Sequence, residues 1–295
     1  MKTSLRFPLL IAGALIPLVS NSDGALITGL VNYWNFDGNL LDSAHGRPGA
    51  SSSVADNGTF AGSAGTGGIS FGTGLFGSNS IDLDGAAGVK QNNGFVRVTR
   101  SADTLFGANV TGTSPNTVTT SMWVTVAGND QDWQTMISHG EGNQYRIARR
   151  SNSVTNAAYA GGSGDIPGSA TGPDLSGGGW HHVLAISENA ISTRIWVDGT
   201  LVATGGAPTI NDAQGGGLLD LNIGANPDTG AQNREWWGRI DDVAQWNRVL
   251  TPAEIAQVYG GGPATAQSLG ALIPEPASGI LSVLGFAAIL RRRRR

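Results

Sequence analysis

Eight tryptophans, four histidines and 22 acidic residues are the side chains of this sequence best able to do chemistry, and their spacing decides which chemistry. Flat aromatic faces beside hydrogen-bonding groups suit sugar rings. Trp133 follows the polar run Gly128–Asp132, and Trp236 and Trp237 follow a polar loop at 226–234. Arg194 and Trp196 stand two apart on a predicted strand and therefore share a face. These five are the candidate ligand-binding residues, with packing as their competing role, because tryptophan is usually largely buried. Trp34, Trp123, Trp180 and Trp246 fall inside predicted strands and are assigned to the core. His181 and His182 are adjacent, and neighbours on a strand point to opposite faces, so they are poorly placed to ligate one ion. With His45 and His139 as the remaining histidines, no zinc site is expected. One of the pair should pack in the core and bond a backbone group. Oxygen donors are better represented. Asp37 and Asn39 sit in an early turn and Asp241 and Asp242 on a late strand, the donor type that calcium gathers in sixes to eights.

The elements that position these residues are mostly strands. In Trp180–Ser187 and Ile191–Val202, apolar residues recur at every second position: Trp180, Leu184 and Ile186, then Ile191, Ile195 and Val197. A period of two marks a half-buried strand. Asp198-Gly199 closes a hairpin, since a two-residue turn of this kind needs positive φ twice. Further strands are predicted at Leu30–Phe36, Ile81–Leu83, Phe95–Val98, Asn116–Ala127, Gln134–Ser138, Gln144–Arg149, Leu219–Gly224 and Glu235–Trp246. Ser51–Gly68 is rich in Gly, Ser and Ala and reads as a loop, as does Gly161–Gly179. One helix is expected near the end. Thr251-Pro252-Ala253-Glu254 forms a capping box, Leu250 can staple to Ile255, and Gly260 stops the helix, which should close one rim as a lid.

Three blocks carry a family resemblance. Gly179–Val183 with Ile195–Gly199, Leu30–Asn39 with Leu41–Ser43, and Gly238–Thr251 together resemble a laminin G-like, concanavalin A-like jelly-roll domain spanning roughly residues 26–260. The resemblance implies an all-β, two-sheet antiparallel sandwich with one short C-terminal helix. It also implies that the first and last strands are neighbours. Asp37, Asn39, Asp241 and Asp242 would then converge at one rim, where similar jelly rolls hold a structural calcium; the alternative is that Asp37 and Asp241 bond backbone amides. Hydrolases on such folds carry two glutamates close together on one strand, whereas Glu141, Glu188, Glu235 and Glu254 are each isolated here. Lyases of the fold need a Tyr or His base beside Arg or Lys. His139, Tyr145 and Arg146 offer those types without a recognisable motif, so no catalysis is expected.

Both ends read as targeting segments. Residues 1–22 have Lys2 and Arg6, an apolar run from Phe7 to Val19 and a small-x-small site at Ser20-Asn21-Ser22, the pattern of a secretory signal peptide. Residues 274–295 have Pro274-Glu275-Pro276, an apolar run and Arg291–Arg295. They resemble a PEP-CTERM sorting signal, which implies processing by an exosortase-type membrane protease in a Gram-negative bacterium. Residues 261–273 read as a linker between domain and signal. Setting aside Lys2, Arg6, Arg291–Arg295 and Glu275 leaves 11 basic against 21 acidic residues, a net charge near −10 where the whole chain has −4. An acidic domain without a basic patch argues against nucleic acid, which is gripped by clustered Lys and Arg. Cysteine is absent, so no disulfide supports the fold. The expected function is an exported, non-catalytic module that binds carbohydrate or exopolysaccharide at the cell surface. A matrix or adhesion protein binding protein partners is the first alternative, and a polysaccharide hydrolase or lyase the second.

Overall fold

The structure, a computed structural model, describes residues 23–52, 55–61, 69–83, 94–99, 117–129, 131–140, 145–149, 157–160, 165–166, 173–206, 213–214, 217–218, 220–226 and 234–273. The targeting segments expected at 1–22 and 274–295 lie outside these residues.

Two antiparallel sheets pack face to face, as expected. Across the larger run β13 (Thr200–Gly205), β12 (Ser192–Val197), β11 (His181–Glu188), β6 (Thr117–Val124), β17 (Arg239–Trp246), β4 (Asn79–Asp82) and β3 (Ser70–Thr73), with β1 (Leu30–Trp34) also paired to β17. The smaller sheet runs β10 (Asp165–Ile166), β9 (Ala157–Ala160), β8 (Tyr145–Arg149), β7 (Thr135–His139), β16 (Leu221–Ile223), β5 (Phe95–Val98) and β2 (Gly58–Ala61). β14 (Ala213–Gln214) and β15 (Gly217–Leu218) form a separate ribbon. The first and last strands of the domain do pair, Tyr33 opposite Ala244 and Trp34 opposite Val243. β2, β3, β9, β10, β14 and β15 were not foreseen, β2 and β10 falling in stretches read as loops, because they are too short or too rich in Gly, Ala, Ser and Thr to show a period.

Side chains from both sheets fill one interior. Val183 and Ala185 of β11, Met122 and Val124 of β6, and Ile240 and Val243 of β17 meet Val96, Ile137, Ile147 and Ile223 of the other sheet. The alternate residues of the larger sheet are buried too. Leu184 and Ile186 of β11, Tyr33 of β1 and Ala244 and Trp246 of β17 join a second cluster on the opposite face. β11 is therefore a strand buried on both sides, not half-buried, with six consecutive residues out of contact with water. Each such aliphatic side chain contributes about 1.5–3 kcal/mol.

Three short helices cover that second face: α1 (Asp23–Ile27), α2 (Pro252–Tyr259) and α3 (Leu269–Leu272). The capping box of α2 forms as the sequence predicts. Thr251 Oγ1 accepts from Glu254 N–H at 3.3 Å, the Glu254 carboxylate accepts from Thr251 N–H at 2.8 Å, and Gly260 is left-handed at φ 65°. Leu250, Ile255 and Val258 are buried over the sheet, so α2 covers a face where a rim lid was expected. The segment 261–273, read as a linker, also packs on the domain. Leu269 and Ile273 are buried in the second cluster, and Leu269 N–H donates to Asp242 at 2.8 Å. Arg248 ties these pieces together, donating to Ala25 and Thr28 carbonyls of the α1 region and to both oxygens of Glu254.

Candidate functional site

The β12–β13 hairpin and α2 enclose a cleft of about 570 Å³. Its shape follows from one turn. Asp198 and Gly199 both have positive φ, 48° and 74°, which closes the hairpin tightly in the way the sequence predicted. A Cβ on Gly199 would lie 2.5 Å from the Tyr259 ring, so only glycine lets the helix approach this closely. The hairpin lines the cleft with Trp196, Asp198, Thr200 and Leu201, and the helix with Pro252, Ile255, Ala256 and Tyr259. Leu201 is 49 % exposed, the sort of uncovered apolar wall a ligand would shield.

The polar groups of the cleft are held in place from behind. Asp198 Oδ2 is 2.8 Å from His181 Nδ1, and Asp198 Oδ1 accepts from His182 N–H at 2.9 Å. Burial works against the Asp198 charge, yet the hydrogen bonds from His181 and His182 N–H outweigh it and hold the carboxyl below its usual range. The hydrogen bond to Asp198 in turn lifts the His181 pKa. Burial, helped by the Asp198 charge, raises the Tyr259 hydroxyl, which therefore stays protonated and able to donate. A carboxylate acceptor, two hydroxyls and a tryptophan face thus surround a mostly apolar hollow. That is the inventory of a small-molecule site: few directed polar groups, otherwise apolar contact.

Of the five ligand-binding residues expected from the sequence, Trp196 lines this cleft and Arg194 lies beside it on β12. The Arg194 guanidinium lies 5.8 Å from the Trp196 ring centroid and is ion-paired with Glu188. Trp133 is half-buried, and the Arg146 guanidinium sits 4.5 Å over its ring, so its platform is already occupied. Trp236 is 1 % exposed and donates its indole N–H to Thr125 O at 2.9 Å, which makes it core. Trp237 is packed on Gly128, where a Cβ would come within 2.4 Å of its ring. Trp180, assigned to the core, is half-buried just ahead of β11. Asp198, Thr200 and Tyr259 were not foreseen as lining one cleft. Asp198 was legible only as a turn residue, and nothing in the sequence sets Tyr259 opposite the hairpin.

His182 is the buried histidine, but its Nε2 meets Ser121 Oγ at 2.8 Å and not a backbone group. Of the trio His139, Tyr145 and Arg146, the first two stand opposite each other on β7 and β8, but Arg146 does not join them. Tyr145 points into the interior against Thr120, while Arg146, its neighbour on β8, turns to the other side against Trp133. Glu188 pairs with Arg194, Glu235 accepts from Gln131 at 3.0 Å, and Glu254 caps α2. Glu141 lies outside the described residues.

The expected calcium ligands spend most of their oxygens on hydrogen bonds. Both carboxylate oxygens of Asp242 are taken, by the Tyr33 hydroxyl and by Leu269 N–H. Asn39 Oδ1 accepts from Leu41 N–H at 2.9 Å, and Asp37 Oδ2 from Asn35 at 2.8 Å. Asp241 Oδ2 accepts from Leu75 N–H at 2.9 Å. N–H and O–H donors thus meet most of these oxygens, while Asp241 Oδ1 is buried without a hydrogen-bond partner, and no group of three or more acidic or histidine side chains that could hold a metal is found among the described residues. Asp241 and Asp242 lie at a break in register of β17, with Asp242 at φ 53°. Burial pushes Asp241 up to about 8 and Asp242 to about 7, each raised further by a neighbouring aspartate.

The family model of the concanavalin A-like lectin/glucanases superfamily matches residues 91–256, more than half of the chain. The chain belongs to this superfamily. Among solved structures it is similar to domain 4 of AbnA, a GH43 extracellular arabinanase from Geobacillus stearothermophilus, in complex with arabinotriose. Identity there is 17 %, over 78 % of this chain and 98 % of that one, with a TM-score of 0.54. It is also similar to the binding domain of botulinum neurotoxin DC in complex with rat synaptotagmin II, at 14 % identity over 78 % of this chain and 51 % of that one, TM-score 0.51. A third is botulinum neurotoxin type C, which needs interaction with two ganglioside molecules to get into cells, at 15 % identity over 80 % and 52 %, TM-score 0.50. The chain spans about half the length of those two toxin domains, and at such identities the likeness is one of fold. No curated protein matches it in sequence.

Proposed function

We propose that this superfamily member is a non-catalytic module that binds neutral carbohydrate in the cleft between the β12–β13 hairpin and α2. The observation that carries the reading is the cleft itself, with the Trp196 face, the fixed Asp198 carboxylate and the Thr200 and Tyr259 hydroxyls around one hollow. Sugar hydroxyls donate to Asp198, and the C–H face of the ring lies on Trp196 beside Leu201. No basic side chain among the described residues lines the hollow, which favours neutral over acidic sugars. The arabinotriose complex of the arabinanase domain supports the ligand class, and the isolated glutamates support a binding role over hydrolysis. The two ends of the sequence add that the module is exported and sorted to the cell surface by a PEP-CTERM-type tail, with exopolysaccharide as the natural source of ligand.

The test is a glycan array followed by titration calorimetry with neutral oligosaccharides. Binding should be saturable, and Trp196→Ala should weaken it at least tenfold, about 1.4 kcal/mol, with an unchanged circular dichroism spectrum. Failure to bind any neutral glycan overturns the reading and leaves the protein-binding alternative. Reducing sugar released from a polysaccharide substrate would overturn its non-catalytic part.

A further inference from the structure

We propose that the groove between α1 and α2 binds a small, uncharged, planar aromatic molecule, on the other side of α2 from the cleft and independent of the carbohydrate reading. The groove encloses about 830 Å³, within the range of about 300–1,000 Å³ that holds a drug-sized ligand. α2 is the ridge between the two hollows. Pro252, Ile255 and Tyr259 face the hairpin, Ala253 and Gln257 face α1, and among the described residues only Ala256 lines both. The methyl groups of Ala25, Ala253 and Ala256 make the walls of the groove apolar, and Arg248 gives it a charge.

The state of that arginine selects the ligand. A guanidinium has five N–H donors in one plane, and here five acceptors meet them. Nε donates to Thr28 O at 2.6 Å and Nη1 to Val249 O at 3.2 Å and Glu254 Oε2 at 2.9 Å. Nη2 donates to Ala25 O at 2.7 Å and Glu254 Oε1 at 2.6 Å. The edge of the plate is therefore occupied all round and its orientation fixed, yet the side chain keeps 25 % exposure. What it offers the groove is its flat face. A carboxylate, a phosphate or a sugar hydroxyl finds no N–H left to accept from. An aromatic ring needs none, because its electron-rich face is drawn to the cation while its edge rests on the alanine methyls. The hydrogen bonds from Arg248 also hold the Glu254 carboxyl down to about 2, so the pair stays ionised at neutral pH. A second observation comes from the other arginines. Arg97, Arg146, Arg149 and Arg194 lie over Phe95, Trp133, Trp236 and Trp196, at 5.4, 4.5, 5.4 and 5.8 Å from the ring centroids. Arg248 has no such ring from the chain among the described residues, and its stacking position opens on the groove instead.

The probe is 2-naphthol, uncharged at pH 7, beside decahydro-2-naphthol, its saturated and non-planar counterpart. The full chain is titrated with each by calorimetry, with saturation-transfer NMR on the probe protons. 2-Naphthol should saturate at one equivalent, and the saturated alcohol should bind at least tenfold more weakly. Ala253 is exposed and lines this groove alone, so Ala253→Trp should fill it and weaken 2-naphthol at least tenfold with an unchanged melting temperature. Trp196→Ala, in the cleft, should leave 2-naphthol binding intact, and Ala253→Trp should leave any binding of neutral oligosaccharide intact. Absence of 2-naphthol binding, or equal affinity for the two alcohols, overturns the proposal. Binding that survives Ala253→Trp but disappears in Trp196→Ala belongs to the cleft and overturns the location.

Discussion

His182 shows how burial makes a single side chain sensitive to pH. Removed from water beneath Trp123 and Tyr259, whose ring centroids lie 5.0 and 5.8 Å from its own, it has its pKa pushed down to about 4 by burial. The unfolded chain binds a proton near 6.5 and the folded chain does not. The stability from His182 is therefore complete above pH 6.5 and is lost as pH falls towards 4. His182→Gln should flatten the fall in melting temperature between pH 6.5 and 4, at the expense of a lower value at pH 7. A pH series by differential scanning fluorimetry checks it. Asp241 works in the other direction. Its folded pKa, raised mainly by burial to about 8, means that its stability is complete below the ordinary carboxylate pKa near 4 and lost as pH climbs through 8. Asp241→Asn keeps the shape of the neutral form, so the variant should melt higher than wild type at pH 9 and about equally at pH 4. An equal melting temperature at both would show that Asp241 is not the buried proton-binding group described above.

At the scale of elements, the clearest surprise is the stretch from Gly261 to Ile273. Its composition, with three glycines and three alanines, carries no period, so a linker was the natural reading. The structure places Leu269 and Ile273 over the second face of the larger sheet. The α3 backbone also satisfies buried groups there, with Leu269 N–H on Asp242 and Gly270 N–H on the Tyr33 hydroxyl at 3.0 Å. Ending the chain at Gly262 should therefore cost about 3 kcal/mol or more, from two buried aliphatic side chains alone. Chemical denaturation of the truncated and full-length proteins measures this, and equal midpoints would make the segment a passive tether. α2 was the opposite case. Its cap, proline and terminal glycine lie within ten residues of one another and were all readable, whereas the face it covers was not.

Over the whole molecule, burial on both sides of the larger sheet organises the site. Because β6 lies between β11 and β17, with Trp123 opposite both His182 and Asp241, one outer face collects residues from distant parts of the chain. α1, α2 and α3 then cover this face, and a gap left between α2 and the β12–β13 hairpin becomes the cleft. With no cysteine in the sequence, the domain is held by packing on both faces of the larger sheet and not by disulfides.

What the sequence determined by itself was whatever is set within a few residues: the strand period, the Asp198-Gly199 turn, the capping box at Thr251, and three motif blocks sufficient for the sandwich. The tertiary structure alone decided which alternate face of β11 meets the other sheet, where Trp133 and Trp236 spend their faces, and that Tyr259 closes on Gly199. It alone tied Arg248 to the carbonyl of Ala25 and the carboxylate of Glu254. The physical reason is that backbone torsions and side-chain alternation are local, whereas partners in a sheet are fixed by the order in which distant strands come to lie side by side.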